Sequence, residues 1–298
     1  LTWPVASLGY TVNTFQKSLA SWERIDKVLT EPIDIRDKED ARDVPEEKME
    51  GSITFENVSF KYPGSDEYAI RDISFHIEGG SKVAFVGRTG AGKTTLVNLI
   101  PRLYDPTEGK VLVDGINVKE WKLSSLRRRV GYVPQDTFLF SATIRDNIAF
   151  GVDQATDSEI EEAAANAQVL ENILDFEKKF ETMVGERGIT LSGGQKQRTA
   201  IARALLKKPR IIILDDSLSA VDTKTEDAIL THLNDHLSDI TSIMISHRIS
   251  AVKNADTIFY IDNGSIIEKG SHDTLLAKKG HYARMYQKQL LEQELAQI

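Results

Sequence analysis

The sequence predicts an α/β fold: a core of parallel strands with its chemistry at the strand ends, joined to a set of antiparallel strands. Three observations predict it. Ile211-Ile212-Ile213-Leu214 and residues 241–245 are short, apolar runs, as in strands buried on both faces of a parallel sheet. Ile53 and Phe55 alternate with polar residues, as do Ile73, Phe75 and Ile77, which is the pattern of half-buried antiparallel strands. A third buried run, Lys82-Val83-Ala84-Phe85-Val86, leads into Gly87-Arg88-Thr89-Gly90-Ala91-Gly92-Lys93-Thr94-Thr95 and then Leu96-Val97-Asn98-Leu99-Ile100. That order reads as strand, glycine-rich loop and helix.

Gly-x-x-x-x-Gly-Lys-Thr between a strand and a helix is a phosphate-binding loop, so the core is that of a P-loop NTPase. Glycine enters the positive-φ region freely, which lets the backbone wrap a polyphosphate. The N–H groups then point inward at a helix N-terminus, where the dipole favours anions. Lys93 adds a full charge at the β- and γ-phosphates, and Thr94 offers its hydroxyl to Mg²⁺.

Composition excludes several other classes. With 37 basic and 45 acidic residues the net charge is −8, opposite to the basic patch that a nucleic-acid surface needs. Cysteine is absent, so disulfides and thiolate metal sites are excluded. No apolar run reaches the roughly 18 residues of a membrane span.

In chain order, Trp3 and Tyr10 bracket a largely apolar stretch, and Phe15, Leu19, Trp22, Ile25 and Leu29 then recur at helical spacing. Residues 1–30 read either as an amphipathic helix or as the inner end of a membrane helix with its cytosolic extension. Residues 31–50 are dense in charge, hold Pro32 and Pro45 and show no periodicity, so they read as a linker, with the folded domain at 51–298. Residues 110–113 and 130–133 read as further strands, with Asp114-Gly115 as a turn. Residues 158–180 and 194–206 read as helices, the second with Ala200, Ile201, Ala204 and Leu205 on one face. Asn263-Gly264 joins residues 257–261 and 265–267 as a hairpin, and from His272 onward the chain reads as helix.

Three polar groups follow predicted core strands. Asp215 ends the 211–214 run, where a carboxylate directed at Mg²⁺ sits in P-loop enzymes. Gln135 follows 130–133 and His247 follows 241–245. Ligands of open α/β sheets gather at that edge.

Leu191-Ser192-Gly193-Gly194-Gln195 opens the helix at 196–206. By itself it is a serine N-cap followed by two glycines. With the phosphate loop upstream and Asp215 downstream, it closely resembles the signature of the ATP-binding cassette (ABC) ATPases, and the resemblance covers Gly51 to about Leu290. It implies the ABC ATPase fold, with an antiparallel β subdomain and an inserted α-helical subdomain at about 137–207. It further implies head-to-tail dimers in which ATP and Mg²⁺ lie between one chain's phosphate loop and the other's signature. Ser192, Gly193, Gly194 and Gln195 then serve the partner's ATP. Tyr62, in Phe60-Lys61-Tyr62-Pro63, matches the aromatic that stacks on adenine, with Ile70 beside the base. Thr94, Gln135 and Asp215 match the Mg²⁺ ligands, and Gln135 also touches the attacking water. His247 matches the switch histidine that reads the γ-phosphate. Ser219-Ala220-Val221-Asp222 matches the loop that crosses the dimer interface.

Residues 134–148, from Pro134-Gln135-Asp136 to Asp146-Asn147-Ile148, and Val184-Gly185-Glu186-Arg187-Gly188 resemble the exporter branch. There these segments meet intracellular loops of a membrane domain that precedes the ATPase on the same chain. The resemblance therefore favours residues 1–30 as the end of a last transmembrane helix. It places the ATPase at the cytoplasmic face of the membrane and leaves the transported small molecule to the membrane helices.

One position departs from the family. Where the general base is usually Glu, this chain has Asp216, shorter by one methylene. A base must reach its water at about 2.6–3.2 Å. Either backbone shift compensates, or the site is slow. Replacement of this kind is common in one subunit of heterodimeric exporters. With its signature intact, this chain then resembles the degenerate-site subunit of a heterodimeric, bacterial multidrug-type exporter. A module that binds ATP without hydrolysing it is the alternative. A soluble ABC protein of ribosomes or chromosomes would want paired cassettes, a coiled-coil insertion or a basic face, none of which the sequence holds.

Overall fold

The computed structural model describes residues 2–45, 48–185, 188, 190–218, 220–222, 225–226, 228–229, 231 and 239–295. The chain divides into two compact units, Leu1–Arg36 and Asp37–Ile298. The first holds helix α1 (Thr2–Leu29), which carries the predicted helical spacing with Trp3, Phe15 and Trp22 exposed. Among the described residues, no helix is long and apolar enough to cross a membrane.

The second unit is built on two sheets. The smaller is antiparallel, with β1 (Ile53–Phe60) between β2 (Ile70–Ile77) and β4 (Glu108–Val113), and β5 (Ile116–Asn117) at the edge. The larger runs β10 (Ser265–Gly270), β9 (Thr257–Asp262), β3 (Lys82–Gly87), β8 (Thr241–Ile245), β7 (Ile211–Asp215), β6 (Val130–Val133). Its pairs from β9 to β6 are parallel, and only β10 runs antiparallel, through the Asn263-Gly264 turn.

The continuous apolar runs have a direct cause. In β7, Ile211 and Ile213 pack towards the smaller sheet, while Ile212 and Leu214 pack against helices on the opposite face. In β3, Val83 and Phe85 face the smaller sheet, and Ala84 and Val86 face a third cluster with Ile258 and Tyr282. Successive side chains of a strand point to opposite faces, so a strand covered on both has no polar positions. Between the sheets, Phe75, Phe85 and Phe259 pack with ring centroids 5.2–5.7 Å apart.

The helical cluster holds α4 (Ile144–Ala149), α5 (Asp157–Asn166), α6 (Leu170–Leu174) and α7 (Gly193–Leu206). The helix expected at 158–180 is thus broken in two, followed by a 3₁₀ turn at Lys179–Glu181. The break falls at Gln168, whose φ is 55° and whose carbonyl accepts from the Arg198 guanidinium of α7. A left-handed residue ends a helix whatever its periodicity.

The charged stretch before Gly51 is also partly folded. Arg42 N–H donates to Glu120 at 2.7 Å, its carbonyl accepts from Lys122 at 2.9 Å, and Met49 is buried. Asp37 Oδ1 accepts from Leu123 N–H at 2.7 Å, at the start of α3 (Leu123–Arg129), where Lys122 offers no side-chain cap. These bonds use backbone groups and one capping carboxylate, so no apolar period announces them.

Candidate nucleotide-binding site

The core strands deliver their polar residues to one edge. β3 ends at Gly87, where φ is 146° and an added Cβ would lie 2.1 Å from the Ile261 carbonyl oxygen. At Gly92 φ is 99°, and a Cβ would meet the Ala69 oxygen at 2.6 Å. Only glycine allows both approaches. Between them the loop turns into α2 (Lys93–Asn98).

Lys93 is buried, and its Nζ donates to the carbonyls of Gly87 at 3.0 Å and Arg88 at 2.8 Å. Burial pulls its pKa below the usual lysine range, against the opposing pull of Asp215 and Asp216. Thr94 Oγ1 donates to Asp215 Oδ1 at 3.2 Å. Asp215 is buried, and burial raises its pKa. Hydrogen bonds from Thr94 and Tyr132 and the charge of Lys93 oppose that rise, while Asp216 adds to it. Asp216 follows in left-handed conformation, φ 46°, with its N–H bonded to the Ile245 carbonyl at 2.8 Å. Asp tolerates that region better than most residues.

A cleft of about 480 Å³ gathers the predicted residues. The loop from Thr89 through Gly90, Ala91, Gly92, Lys93 and Thr94 to Thr95 lines it, together with Gln135, Asp215, Asp216 and His247 and with Tyr62 and Ala69. Tyr62 lies edge-on to Phe60 and Tyr104 at centroid distances of 5.0 and 5.4 Å, with its hydroxyl 2.9 Å from Thr95 Oγ1. Gly87 and Arg88 line a neighbouring cleft behind the loop.

Ile70 requires correction. It is wholly buried in the core between the sheets and has no face to offer a base. Its neighbour Ala69 lines the cleft instead, as the alternation of side chains at a strand start requires.

The start of α7 is not part of this cleft. Ser192 accepts from Gln195 N–H at 3.3 Å, and the Gln195 side chain accepts from Ser192 N–H at 2.9 Å, a capping box. Gly193 and Gly194 lie against Ala220; a Cβ on Gly194 would be 3.0 Å from the Ala220 oxygen. Of the loop at 219–222, Ser219 lies outside the described residues, as do Glu186 and Arg187 of the segment before the signature.

Tyr132 was not anticipated. From the middle of β6 its hydroxyl donates to Asn98 Oδ1 at 2.9 Å and reaches Asp215 Oδ2 at 3.4 Å. Burial first, and then the Asp215 charge, raise its pKa. The signal was a tyrosine inside a buried strand, since a buried phenol needs a partner.

Thr94, Asp215 and Gln135 present oxygen donors, as Mg²⁺ requires. Among the described residues, no group of three or more His, Asp or Glu could hold a metal alone.

The profile of the ABC transporter family matches residues 70–219, half of the chain, from the first residue of β2 past the signature. The chain belongs to the ABC transporter family. It is 43% identical over 291 residues to the probable multidrug resistance ABC transporter ATP-binding/permease protein YheI of Bacillus subtilis, covering 98% of this chain and 49% of that protein. It is 43% identical over 296 residues to the ATP-dependent lipid A-core flippase of Pseudomonas aeruginosa, covering 99% of this chain and 48% of that one. Among solved structures it is similar to a bacterial Atm1-family ABC exporter with ATP bound, with a TM-score of 0.87 and 40% identity over 95% of this chain and 49% of the exporter. The chain spans about half the length of the curated relatives it matches. The two-sheet core with its helical cluster is thus the ABC ATPase fold, and the chain is an ABC-type ATPase domain.

Proposed function

We propose that this ABC ATPase domain binds Mg-ATP in the cleft at the end of β3 and powers export through a membrane domain, by closing against a second ATPase domain. The carrying observation is the convergence in one cleft of Lys93, Thr94, Gln135, Asp215, Asp216 and His247, which come from four different strand ends. Lys93 holds the β- and γ-phosphates, and the loop N–H groups hold the chain of phosphates. Thr94, Asp215 and Gln135 would hold Mg²⁺, which neutralises charge on the β- and γ-oxygens when bound. Tyr62 stacks on adenine. Asp216 accepts a proton from water as that water attacks the γ-phosphorus, the bond to the β-phosphate oxygen breaks, and ADP leaves. His247 hydrogen-bonds the γ-phosphate.

A second chain enters for a physical reason. The α7 start is an anion-ready helix terminus that does not line its own chain's cleft. Ser192, Gly193, Gly194 and Gln195 therefore serve a phosphate brought by a partner. The relatives' ATP-binding/permease name and the half-length match support a membrane domain on the complete chain, with residues 1–30 as the end of its last helix and the ATPase at the cytoplasmic face. The short Asp216 favours a slow own site and a heterodimer whose partner has the full base. Asp216 also supports a second reading, in which ATP here only holds the dimer closed.

Single-turnover conversion of ATP to ADP, read on a photoreactive ATP crosslinked to this chain, tests the site. Slow conversion supports hydrolysis, binding without conversion supports the second reading, and no Mg-dependent labelling contradicts both.

A further inference from the structure

Gln289 lies on the C-terminal helix α8 (His281–Leu295), remote in sequence from every motif of the site. Its side-chain amide spans the turn that follows β8. Nε2 donates to the His247 carbonyl, and Oε1 accepts the Ile249 N–H at 2.9 Å. Both ends of one amide are thus committed to the backbone on either side of Arg248. Within the turn, Arg248 N–H bonds the Ser246 hydroxyl at 3.0 Å, and the Arg248 guanidinium reaches Glu226 at 3.0 Å and the Val221 carbonyl at 3.3 Å. The turn is therefore gripped from two sides, by α8 and by the segment that follows Asp216.

His247 lines the nucleotide cleft from this turn. Its imidazole goes where the backbone at residues 246–249 puts it, and a catalytic group must be held to within a fraction of an ångström. α8 also lines the neighbouring cleft, together with Arg88, Thr89 and His247.

We propose that Gln289 is a positioning residue for ATP hydrolysis: its two-bond clamp fixes the turn that presents His247 to the γ-phosphate. The proposal rests on the hydrolytic reading of the site. The residue type fits the task, because a side-chain amide carries its donor and its acceptor on two separate atoms and can hold two backbone groups at once. Glutamate at 289 would keep the Ile249 bond and set a carboxylate against the His247 carbonyl.

The test uses the full-length transporter and the same crosslinked, photoreactive ATP, in single turnover. Gln289→Ala should slow conversion to ADP about tenfold, in line with the cost of misplacing a reacting group. ATP loading before conversion should stay within about twofold, since no contact to nucleotide is lost. Added to His247→Ala, Gln289→Ala should cost nothing further, because the clamp acts only through the imidazole. Gln289→Glu, close to isosteric, should lose at least half of the rate even where the alanine variant does not fold. Equal slowing by Gln289→Ala with and without His247 would overturn the proposal, as would full rate in Gln289→Glu. Absence of conversion in the unaltered chain would sink the hydrolytic reading and the proposal with it. Slow conversion in His247→Ala with full rate in Gln289→Ala would leave the hydrolytic reading standing and remove only the clamp.

Discussion

At the end of β3 and at the start of α7, backbone N–H groups open a helix beside glycines, yet the two surroundings differ. Around the phosphate loop the same chain supplies a buried lysine, a hydroxyl bonded to a buried carboxylate, a second carboxylate, an amide and an imidazole. Around the signature it supplies a capping box and the close approach of Ala220 to Gly193 and Gly194. The first region lines the cleft; the second, among the described residues, does not. On the proposed function each region serves a different nucleotide, so damage to the two should be felt at different sites.

The largest expected effect is on the complete region. Gly87→Ala puts a Cβ where the Ile261 carbonyl oxygen would be 2.1 Å away. A contact that short, against backbone on both sides, forces the loop or β9 to shift, so ATP binding at this chain should be lost, and stability should fall by more than about 3 kcal/mol. Thermal denaturation and photolabelling with and without Mg-ATP check this. A variant with full labelling would show that the loop does not need its close approach to β9.

Next comes Lys93→Ala, which removes the ammonium that the proposed function sets against the phosphates. A charge-assisted bond is worth roughly 1.5–3 kcal/mol, so affinity at this chain should fall about 10- to 100-fold. Titration with a fluorescent ATP analogue measures it, and unchanged affinity would remove the phosphate-loop assignment.

These two positions belong to the part of the molecule that was legible in the sequence. Strands covered on both faces write continuous apolar runs, so β3, β7 and β8 and the acid ending β7 could be placed from the residues. Less legible were features resting on single polar atoms. Whether Ala69 or Ile70 faces the cleft depends on where β2 begins, a matter of one residue that reverses the face. Asp37 caps α3 from a stretch whose composition reads as linker. Gln289 meets the His247 turn across 42 residues of sequence, and a glutamine on a charged helix gives no sign of its target.

A smaller effect is expected at Tyr132. Its hydroxyl holds Asp215 and lowers that carboxyl's pKa, against the rise that burial causes. Mg²⁺ needs the ionised form. Asp215's folded pKa lies above its unfolded value, so its contribution to stability is full below the unfolded value and is lost as pH rises through the folded one. Mg-ATP affinity has the opposite sign and weakens as pH falls through that raised pKa. Tyr132→Phe should move this weakening to higher pH and lower affinity about fivefold, the worth of one ordinary hydrogen bond. Affinity titrated against pH reads both; an unmoved profile would show that Tyr132 serves only Asn98.

The smallest effect is a gain. Asp216→Glu lengthens the side chain by one methylene, with a modest cost for Glu at φ 46°. In the proposed heterodimer, where the opposite site is already competent, total phosphate release should rise by at most about twofold. A tenfold rise would mean that the opposite site is not competent.

The division of labour between the two regions is tested most directly by steady-state ATP turnover of the full-length assembly at saturating Mg-ATP, with Asp216→Asn and Gly193→Asp measured side by side. On the proposed function Asp216 serves a slow site of its own chain, so its loss should leave more than half of the turnover, while Gly193 faces the partner's ATP, where a carboxylate would repel the γ-phosphate. Loss of one preorganised anion contact costs about 2.7–4 kcal/mol of transition-state stabilisation, a 10²- to 10³-fold drop. Near-silence in Gly193→Asp beside a mild loss in Asp216→Asn is the expected result. Equal damage from the two substitutions would contradict it and make Asp216 a working base.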